Sequence, residues 1–306
     1  MVTVHTVGER GLIARVGRRC ARTRAVEVGI GDDAAVLALF PSRGHGARLL
    51  LASDMLVEGV HFHRRTVPPQ WIGWKALACT VSDIAAMGGR PCAAVVSLGV
   101  PRQTSVRFVD ELYRGLARCA RRFGLAIVGG DTVRAPRIVI DVAILGLAPS
   151  GRVTLRSAAR VGDVVFVTGR LGGALASGRH ARFIPRLREA QWLVTHLPVH
   201  AMIDLSDGLG ADLWQVARAS RVTVRIEASR IPTAAKVLTL QQALWDGEDF
   251  ELLFAVPRRA AARVPHTIGA CPVTRIGTVV RRGAGVELQH ANGAVRPLRA
   301  NGFRHF

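Results

Sequence analysis

Apolar positions in the first half of the chain follow two spacings, one typical of helices and one typical of strands. After Pro68 and Pro69 an apolar residue recurs every third or fourth position, which predicts a helix that ends at Gly88. The same spacing predicts a first, amphipathic helix through residues 12–16 and a further helix through residues 109–116. Short apolar runs predict strands at residues 49–52, 92–98, 125–128 and 138–147.

The second half repeats this alternation after Pro149-Ser150-Gly151, where the pattern breaks. A strand at 164–167 leads into the glycine-rich stretch Thr168–Gly173, which is predicted to open a helix and is also a weak candidate for holding a phosphate. Further runs predict strands at 201–203, 222–226 and 252–256, a helix at 209–217 and a short β-rich C-terminal stretch. Such alternation is typical of mixed α/β proteins. We predict two domains, at residues 1–148 and 149–306.

Composition sets the broad class of the protein. Apolar residues make up 49% of the 306 positions, which excludes disorder as the main state. No apolar run approaches the roughly 18–20 residues that a membrane-spanning helix needs, and the first 16 residues lack the apolar stretch of a signal peptide. The five cysteines form no CxxC pair, so we expect free thiols rather than disulfides or a zinc site. These features predict a cytoplasmic protein that does not enter a membrane.

The net charge of +20 makes nucleic acid the first partner to consider. Only Lys75 and Lys236 are lysines, so 42 − 2 leaves 40 arginines among the basic residues. They are scattered along the whole chain, with no basic tail and no basic helix carrying interspersed aromatic residues. We interpret the arginine content as a compositional bias and expect no specific nucleic-acid partner.

The position of the acidic residues is more informative than their number. Nine of the 22 lie in short motifs: Asp32 and Asp33, Asp54, Asp83, Asp131, Asp204 and Asp207, and Glu248 and Asp249. Several of these motifs directly follow an apolar strand, which is where α/β sheets usually hold ligands. Turns or helix caps explain some of them equally well, because Asp and Gly are common in turns and Asp is a good N-cap.

Asp83 fits the turn and cap explanations least well. It lies in the last turn of its predicted helix, where the helix dipole disfavours a carboxylate, and its neighbours in sequence include no cation. Several converging carboxylates would repel one another unless a cation joined them. Mg²⁺ prefers oxygen ligands and commonly bridges carboxylates to substrate phosphates. The motifs therefore predict a magnesium and phosphate site.

Six motifs occur in an order that resembles the thiamine-monophosphate kinase family, a branch of the aminoimidazole ribonucleotide synthetase-like superfamily. They are Gly29-Ile-Gly-Asp-Asp-Ala-Ala35, Ser53-Asp54 with Glu58-Gly-Val-His-Phe62, Ser82-Asp-Ile-Ala-Ala-Met-Gly88, Gly129-Gly-Asp-Thr132, Asp204-Leu-Ser-Asp-Gly208 and Gly247-Glu-Asp-Phe-Glu-Leu252. The resemblance covers almost the whole chain. It implies a two-domain aminoimidazole ribonucleotide synthetase-like fold, with N-terminal domain strands pairing across a homodimer.

The resemblance also implies roles for individual residues. It implies several Mg²⁺ ions held by Asp33, Ser53, Asp54, Asp83, Asp131, Asp204 and Asp207. It implies that ATP contacts Gly130, Asp131, Arg156, Ser206 and Tyr113, and that thiamine monophosphate contacts His61, Glu248 and Phe303. The family usually has Ser-Gly-Gly-Glu-Asp where this chain has Trp245-Asp-Gly-Glu-Asp249, so the departure falls beside Glu248.

The implied reaction is the ATP-dependent phosphorylation of thiamine monophosphate to thiamine diphosphate. Its acceptor is a phosphate monoester that is largely dianionic at neutral pH, so no general base is expected among the side chains. Catalysis would come from positioning and from charge neutralisation by Mg²⁺. Two alternatives stay open: another ATP-dependent reaction of the same superfamily, and a non-enzymatic nucleic-acid-binding or regulatory protein on this scaffold.

Overall fold

The computed structural model describes residues 3–20, 23–38, 46–235, 237 and 239–305. The first half of the chain contains the helices α1 (Val4–Gly17), α2 (Pro69–Ala86) and α3 (Val106–Phe123). Its strands are β1 (Val26–Val28), β2 (Ala35–Ala38), β3 (Ala47–Val57), β4 (Arg90–Val100), β5 (Ala126–Arg134) and β6 (Val139–Pro149).

The second half contains the helices α4 (Leu187–His196), α5 (Leu209–Ser220), α6 (Leu240–Trp245) and α7 (Arg258–Ala261). Its strands are β7 (Val164–Thr168), β8 (Ala201–Asp204), β9 (Val222–Glu227), β10 (Leu252–Val256), β11 (Thr267–Ile268), β12 (Cys271–Arg282), β13 (Gly285–Gln289) and β14 (Val295–Pro297). The predicted strands of both halves are confirmed, and so is the predicted mixed α/β class.

The first sheet is covered on one face only. Its strands lie in the order β1-β2-β3-β6-β4-β5, and β5 pairs in parallel with β4 through the crossover helix α3. Side chains alternate between the faces of a strand, so Leu50, Ala52 and Leu56 of β3 enter the core while Leu51 and Met55 point to the other side. The face that carries Leu51 and Met55 is exposed to solvent in a single chain.

The second sheet is covered on both faces. Its strands lie in the order β14-β13-β9-β12-β7-β10-β8. In β7, Val165 and Val167 pack in one cluster with α5, whereas Val164 and Phe166 pack in another with α4. Short strands buried on both faces read as continuous apolar runs, which is the pattern that predicted them.

Helix α2 connects the two halves. Most of its residues are buried, because it packs against β3 and β6 of the first sheet and also against α4 and β8 of the second. Its final residues Ala85 and Ala86 belong to the cluster of the second sheet. It ends at Ala86 with Met87 as its C-cap, and Gly88 follows with a φ of 72°, so the predicted end of this helix is confirmed.

Two sequence predictions about helices are wrong. The first helix exists, but it is interrupted at Gly8 (φ 68°) and buries none of its residues, so its apolar positions do not form a core-facing stripe. The glycine-rich stretch after β7 does not open a helix; a 3₁₀ turn follows at Arg179–Ala181, and α4 begins only at Leu187. Within the described residues no helix is both long and apolar enough to cross a bilayer. The division into domains at residue 148 stays a prediction.

Candidate functional site

Three aspartates from separate parts of the chain meet between the two sheets. Oxygen atoms of Asp33, Asp83 and Asp204 all lie within 4.8 Å of one another. Asp33 precedes β2, Asp83 lies in the last turn of α2, and Asp204 ends β8. The sequence separation of these residues is large, so only the packing of α2 between the two sheets brings them together.

Burial makes this group electrostatically costly. It raises the pKa of Asp83 and of Asp33 well above the usual carboxyl value, and neighbouring carboxylates add to the effect. Burial raises the pKa of Asp204 to about 6, although the Ser82 hydroxyl donates a hydrogen bond of 2.6 Å to its carboxylate. A bound cation would stabilise the charged form of each of the three carboxylates.

Asp54 and Asp207 lie at the edges of the same group. Asp54 is on the core-facing side of β3; its burial, together with the charges of Asp204 and Asp141, raises its pKa to about 7. Asp207 lies in the loop between β8 and α5, and burial raises its pKa as well. The structure thus brings five of the predicted metal ligands into one electrostatically coupled group.

The side chain of Arg156 places a positive charge beside these aspartates. Its guanidinium donates to Asp33 and lies 3.3 Å from Asp32. Its backbone N–H also donates to Asp32, at 3.2 Å. The second carboxylate oxygen of Asp33 is buried and has no hydrogen-bond partner within the described part of the chain. One arginine therefore neutralises only part of the acidic group.

The sequence analysis missed Asp212, which shapes the loop that carries Asp207. Asp212 is fully buried in the first turn of α5, and its carboxylate accepts hydrogen bonds of 3.1 Å from the backbone N–H groups of Asp207 and Gly208. Asp204 and Asp207 do not cap α5, since its N-cap is Gly208 and no side chain caps it. An acidic residue four positions after a Ser-Asp-Gly turn was the available signal.

A second group of predicted residues lies beside the aspartates. The rings of His61 and Phe303 are 6.3 Å apart, and His305 lies 5.1 Å from His61 and 4.8 Å from Phe303. The Phe303 backbone N–H donates to the carbonyl of Asp207 at 3.0 Å, which ties the C-terminal segment to the acidic loop. Burial, with smaller effects from the charges of His305 and Lys75, lowers the pKa of His61 to about 4, so its ring is neutral at neutral pH.

Glu248 and Ser206 join the loops on either side of this group. The Glu248 backbone N–H donates to the carbonyl of Ser206 at 2.7 Å. Its carboxylate forms an ion pair with Lys75, whose ammonium also donates to the carbonyl of His61 at 2.8 Å. Two predicted substrate residues, Glu248 and His61, are thereby connected through a lysine that the sequence analysis did not single out.

Four predicted site residues lie outside the aspartate group. Asp131 and Gly130 are on β5, the edge strand of the first sheet, where Asp131 is opposite Ser97 and Gly130 opposite Val96. The Ser53 hydroxyl donates to Asp141 at 2.9 Å on the uncovered face of this sheet. The fourth, Tyr113, packs against the first core from α3, a helix that contributes none of the three clustered aspartates.

The glycine-rich stretch after β7 is occupied by protein carboxylates. The backbone N–H of Gly172 donates to Asp249 at 2.9 Å, and that of Gly173 donates to Asp246 at 3.0 Å. Arg179 adds an ion pair to Asp249 at 2.7 Å. These donors are therefore used within the chain, and the suggestion that this stretch holds a phosphate is wrong.

Comparison with known proteins decides the family. Residues 31–148 match the N-terminal domain of the AIR synthase related proteins, and residues 160–289 match the C-terminal domain. A thiamine-monophosphate kinase from Rhodopirellula baltica is 38% identical to the chain over 288 residues, which are 90% of each sequence. The chain belongs to the thiamine-monophosphate kinase family.

Further relatives agree with this assignment. A thiamine-monophosphate kinase from Bacillus subtilis is 33% identical over 327 aligned positions, covering 97% of this chain and 99% of that protein. Among solved structures, AaThiL complexed with AMPPCP and TMP matches with a TM-score of 0.85 at 30% identity, covering 100% of this chain and 99% of that chain. The predicted resemblance to thiamine-monophosphate kinases and the predicted two-part fold are confirmed.

Proposed function

We propose that the protein transfers the γ-phosphoryl group of ATP to the phosphate of thiamine monophosphate, giving thiamine diphosphate and ADP. The observation that carries this proposal is the convergence of Asp33, Asp83 and Asp204 within 4.8 Å, beside the aromatic group of His61 and Phe303. A relative of this family, AaThiL, is solved with AMPPCP and TMP, a nucleotide analogue and a phosphorylated ligand of the kind this reaction requires.

The acidic residues present fit Mg²⁺. The buried and unpartnered oxygen of Asp33 points to a missing ligand, and the donor set is made of carboxylate oxygens, which Mg²⁺ prefers over nitrogen or sulfur ligands. We propose that Asp33, Asp54, Asp83, Asp204 and Asp207 would hold Mg²⁺. When bound, the ions would neutralise phosphate charge and orient the two substrates for in-line transfer.

The chain's own residues would position the substrates and exclude water. Arg156 is held at the acidic group by Asp32 and Asp33, and this position supports the proposal that its guanidinium would bind an ATP phosphate. The neutral His61 ring, with Phe303, offers an aromatic surface for the thiamine rings, and the Glu248 carboxylate, already paired with Lys75, would accept a hydrogen bond from the substrate through its remaining lone pairs. A dianionic acceptor phosphate needs no general base, so none of the side chains is assigned that role.

We also propose that two copies of the chain pair through the first sheet. Its uncovered face exposes a row of large apolar side chains, namely Leu51, Met55, Val95, Leu145 and Leu147. Exposed apolar patches of this kind mark association surfaces. The edge strand β5, which carries Asp131, is available for pairing with another chain, as edge strands are.

A dimer would also explain the placement of Asp131. Strands β6 and β4 lie between β3 and β5, and neighbouring strands are about 4.8 Å apart, so Asp131 is roughly 14 Å across the sheet from Asp54. Within one chain Asp131 therefore cannot join the aspartate group. We propose that Asp131, Gly130 and Tyr113 contribute to nucleotide binding, and that Ser53 and Asp131 hold metal, in the dimer.

The proposed function is tested by product analysis. The protein is incubated with ATP, thiamine monophosphate and Mg²⁺, and phosphorus NMR follows the terminal phosphate of thiamine diphosphate. The same mixture with excess chelator should give none, and the variant Asp204→Asn should be slower by orders of magnitude. ATP hydrolysis without thiamine diphosphate would favour another reaction of the superfamily.

A further inference from the structure

Lys75 is a buried cation whose bonds are all made to the thiamine monophosphate side of the site. It lies in α2 among apolar residues, and its side chain is only 1% exposed. Its ammonium donates to both carboxylate oxygens of Glu248, at 2.6 and 2.8 Å, and to the carbonyl of His61 at 2.8 Å. An ammonium has three N–H donors, so the three contacts use all of them.

The chain keeps a lysine here against its own composition. It contains 40 arginines and two lysines, the second being Lys236. An arginine at position 75 would place five donors and a wider planar group where the protein offers three acceptors. A lysine in a chain so rich in arginine indicates that the shape and the donor number of this side chain matter.

The two residues that accept hydrogen bonds from Lys75 belong to different halves of the chain. His61 lies in the connection between β3 and α2, whereas Glu248 lies in the loop between α6 and β10. Glu248 has a φ of 55°, and Phe250 in the same loop has a φ of 50°. Such values are unfavourable for residues with a side chain and persist only where surrounding contacts hold them.

We propose that Lys75 is a positioning residue that fixes the Glu248 carboxylate for recognition of thiamine monophosphate. This inference rests on the proposed function of the chain. Lys75 is too deeply buried to touch the substrate, so it acts through Glu248, and its bond to the His61 carbonyl fixes where the ammonium lies. Without this pair, Glu248 would lose its counter-ion and the side-chain contact that holds its carboxylate, leaving its strained backbone held by the hydrogen bond to Ser206.

The experiment measures KM separately for the two substrates in Lys75→Met, Lys75→Arg and Glu248→Gln. Each should raise KM for thiamine monophosphate at least tenfold while leaving KM for ATP within about twofold. Calorimetric titration of thiamine monophosphate without ATP should show the same loss of affinity. The double variant Lys75→Met/Glu248→Gln should be no worse than Glu248→Gln alone, because Lys75 acts through Glu248.

A matched control separates positioning from general stability. His200 immediately precedes β8, so it lies at the opposite end of that strand from Asp204. His200→Ala removes a side-chain partner of another buried acid, Asp163. It should lower the melting temperature without changing either KM. If Lys75→Met does not fold, Lys75→Arg, which keeps the charge but not the three-donor geometry, replaces it and should still show the loss of thiamine monophosphate affinity.

Three outcomes would overturn the inference. They are an unchanged KM for thiamine monophosphate in the Lys75 variants, an equal rise of both KM values, and a double variant at least tenfold worse than Glu248→Gln. A wild-type protein that makes no thiamine diphosphate would instead overturn the proposed function. The two failures are therefore distinguishable.

Discussion

Replacing Asp83 by Asn tests whether the acidic group is built for a cation. Asp83 has two carboxylate neighbours, Asp33 and Asp204, with oxygens within 4.8 Å. Two unit charges at that distance repel by about 3.5 kcal/mol at an effective dielectric of 20, so Asp83 takes part in a gross repulsion of about 7 kcal/mol. Arg156 offsets part of this repulsion. Because the pKa of Asp83 is raised, protonation of Asp83 reduces the repulsion further.

The net effect on the free protein should therefore be a gain in stability. We expect the free energy of unfolding of Asp83→Asn to rise by roughly 1–3 kcal/mol at pH 7.5, which for a chain of this length corresponds to a rise in melting temperature of about 2–5 °C. The added stability from Mg-ATP should shrink, because a ligand stabilises only as far as it binds the native state. Turnover should fall by orders of magnitude. Thermal unfolding with and without Mg-ATP, paired with the rate, measures all three.

Asp163→Asn is the matched control, since Asp163 is also a buried aspartate. Its carboxylate already has partners, accepting from Arg160 N at 2.8 Å and lying 2.9 Å from His200. The same substitution there should lower stability and leave the Mg-ATP effect unchanged. If Asp83→Asn instead loses stability in the free protein and keeps normal turnover, Asp83 is a structural residue and the reasoning is wrong.

Three further predictions concern pH, β5 and nucleic acid. The pKa of Asp54 is raised to about 7 and that of Asp204 to about 6, so at these carboxyls the native state binds more protons than the unfolded state. This effect outweighs the opposite one of His61, whose pKa is lowered to about 4, so the melting temperature of the free protein should fall as pH rises from about 4 to 7. A rise over that range would contradict the prediction. Gly130→Ala would place a Cβ 1.8 Å from the Val96 carbonyl and should cost roughly 2 kcal/mol or more in unfolding free energy, whereas in Gly129→Ala the nearest atom is 3.7 Å away and denaturant titration should show a smaller loss. Duplex DNA at physiological salt should bind no better than micromolar in a fluorescence titration, and sequence-specific nanomolar binding would mean that the +20 charge is functional.

The strands and the main helices were predictable because buried positions are occupied by apolar residues, whose spacing along the sequence indicates a strand or a helix. Residues 164–167 are buried on both faces of the second sheet and read as an unbroken apolar run. Helix α1 shows the limit of this reasoning. Its apolar residues have helical spacing, but Gly8 interrupts the helix, and Ile13 and Val16 stay 45% and 47% exposed.

The acidic site was predictable in its residue types but not in its connections. Asp83 was identifiable because a carboxylate at a helix C-terminus breaks a local rule. Asp212 and Lys75 were missed, because the features that mark them in the sequence, a position shortly after a Ser-Asp-Gly turn and the rarity of lysine, do not show which groups they contact. Their importance comes from partners that are far away along the chain or that are backbone groups, such as Glu248 for Lys75 and the Asp207 N–H for Asp212.

The glycine-rich stretch at residues 168–173 was misinterpreted for a related reason. Its sequence has the glycines of a phosphate-binding turn, and its N–H groups do bind oxygen anions, but these are the carboxylates of Asp246 and Asp249. Local sequence shows that a turn offers donors. Only the packing of a segment more than 70 positions away shows which acceptor takes them.

The central claim, Mg²⁺-dependent phosphoryl transfer to thiamine monophosphate, is tested most directly by following the γ-phosphate itself. The protein is given ATP labelled at the γ-phosphorus, thiamine monophosphate and Mg²⁺, and the label is quantified in each product. All label lost from ATP should appear in the terminal phosphate of thiamine diphosphate, and chelation of Mg²⁺ should stop the transfer. Label recovered only as inorganic phosphate, or transfer that continues in excess chelator, would contradict it.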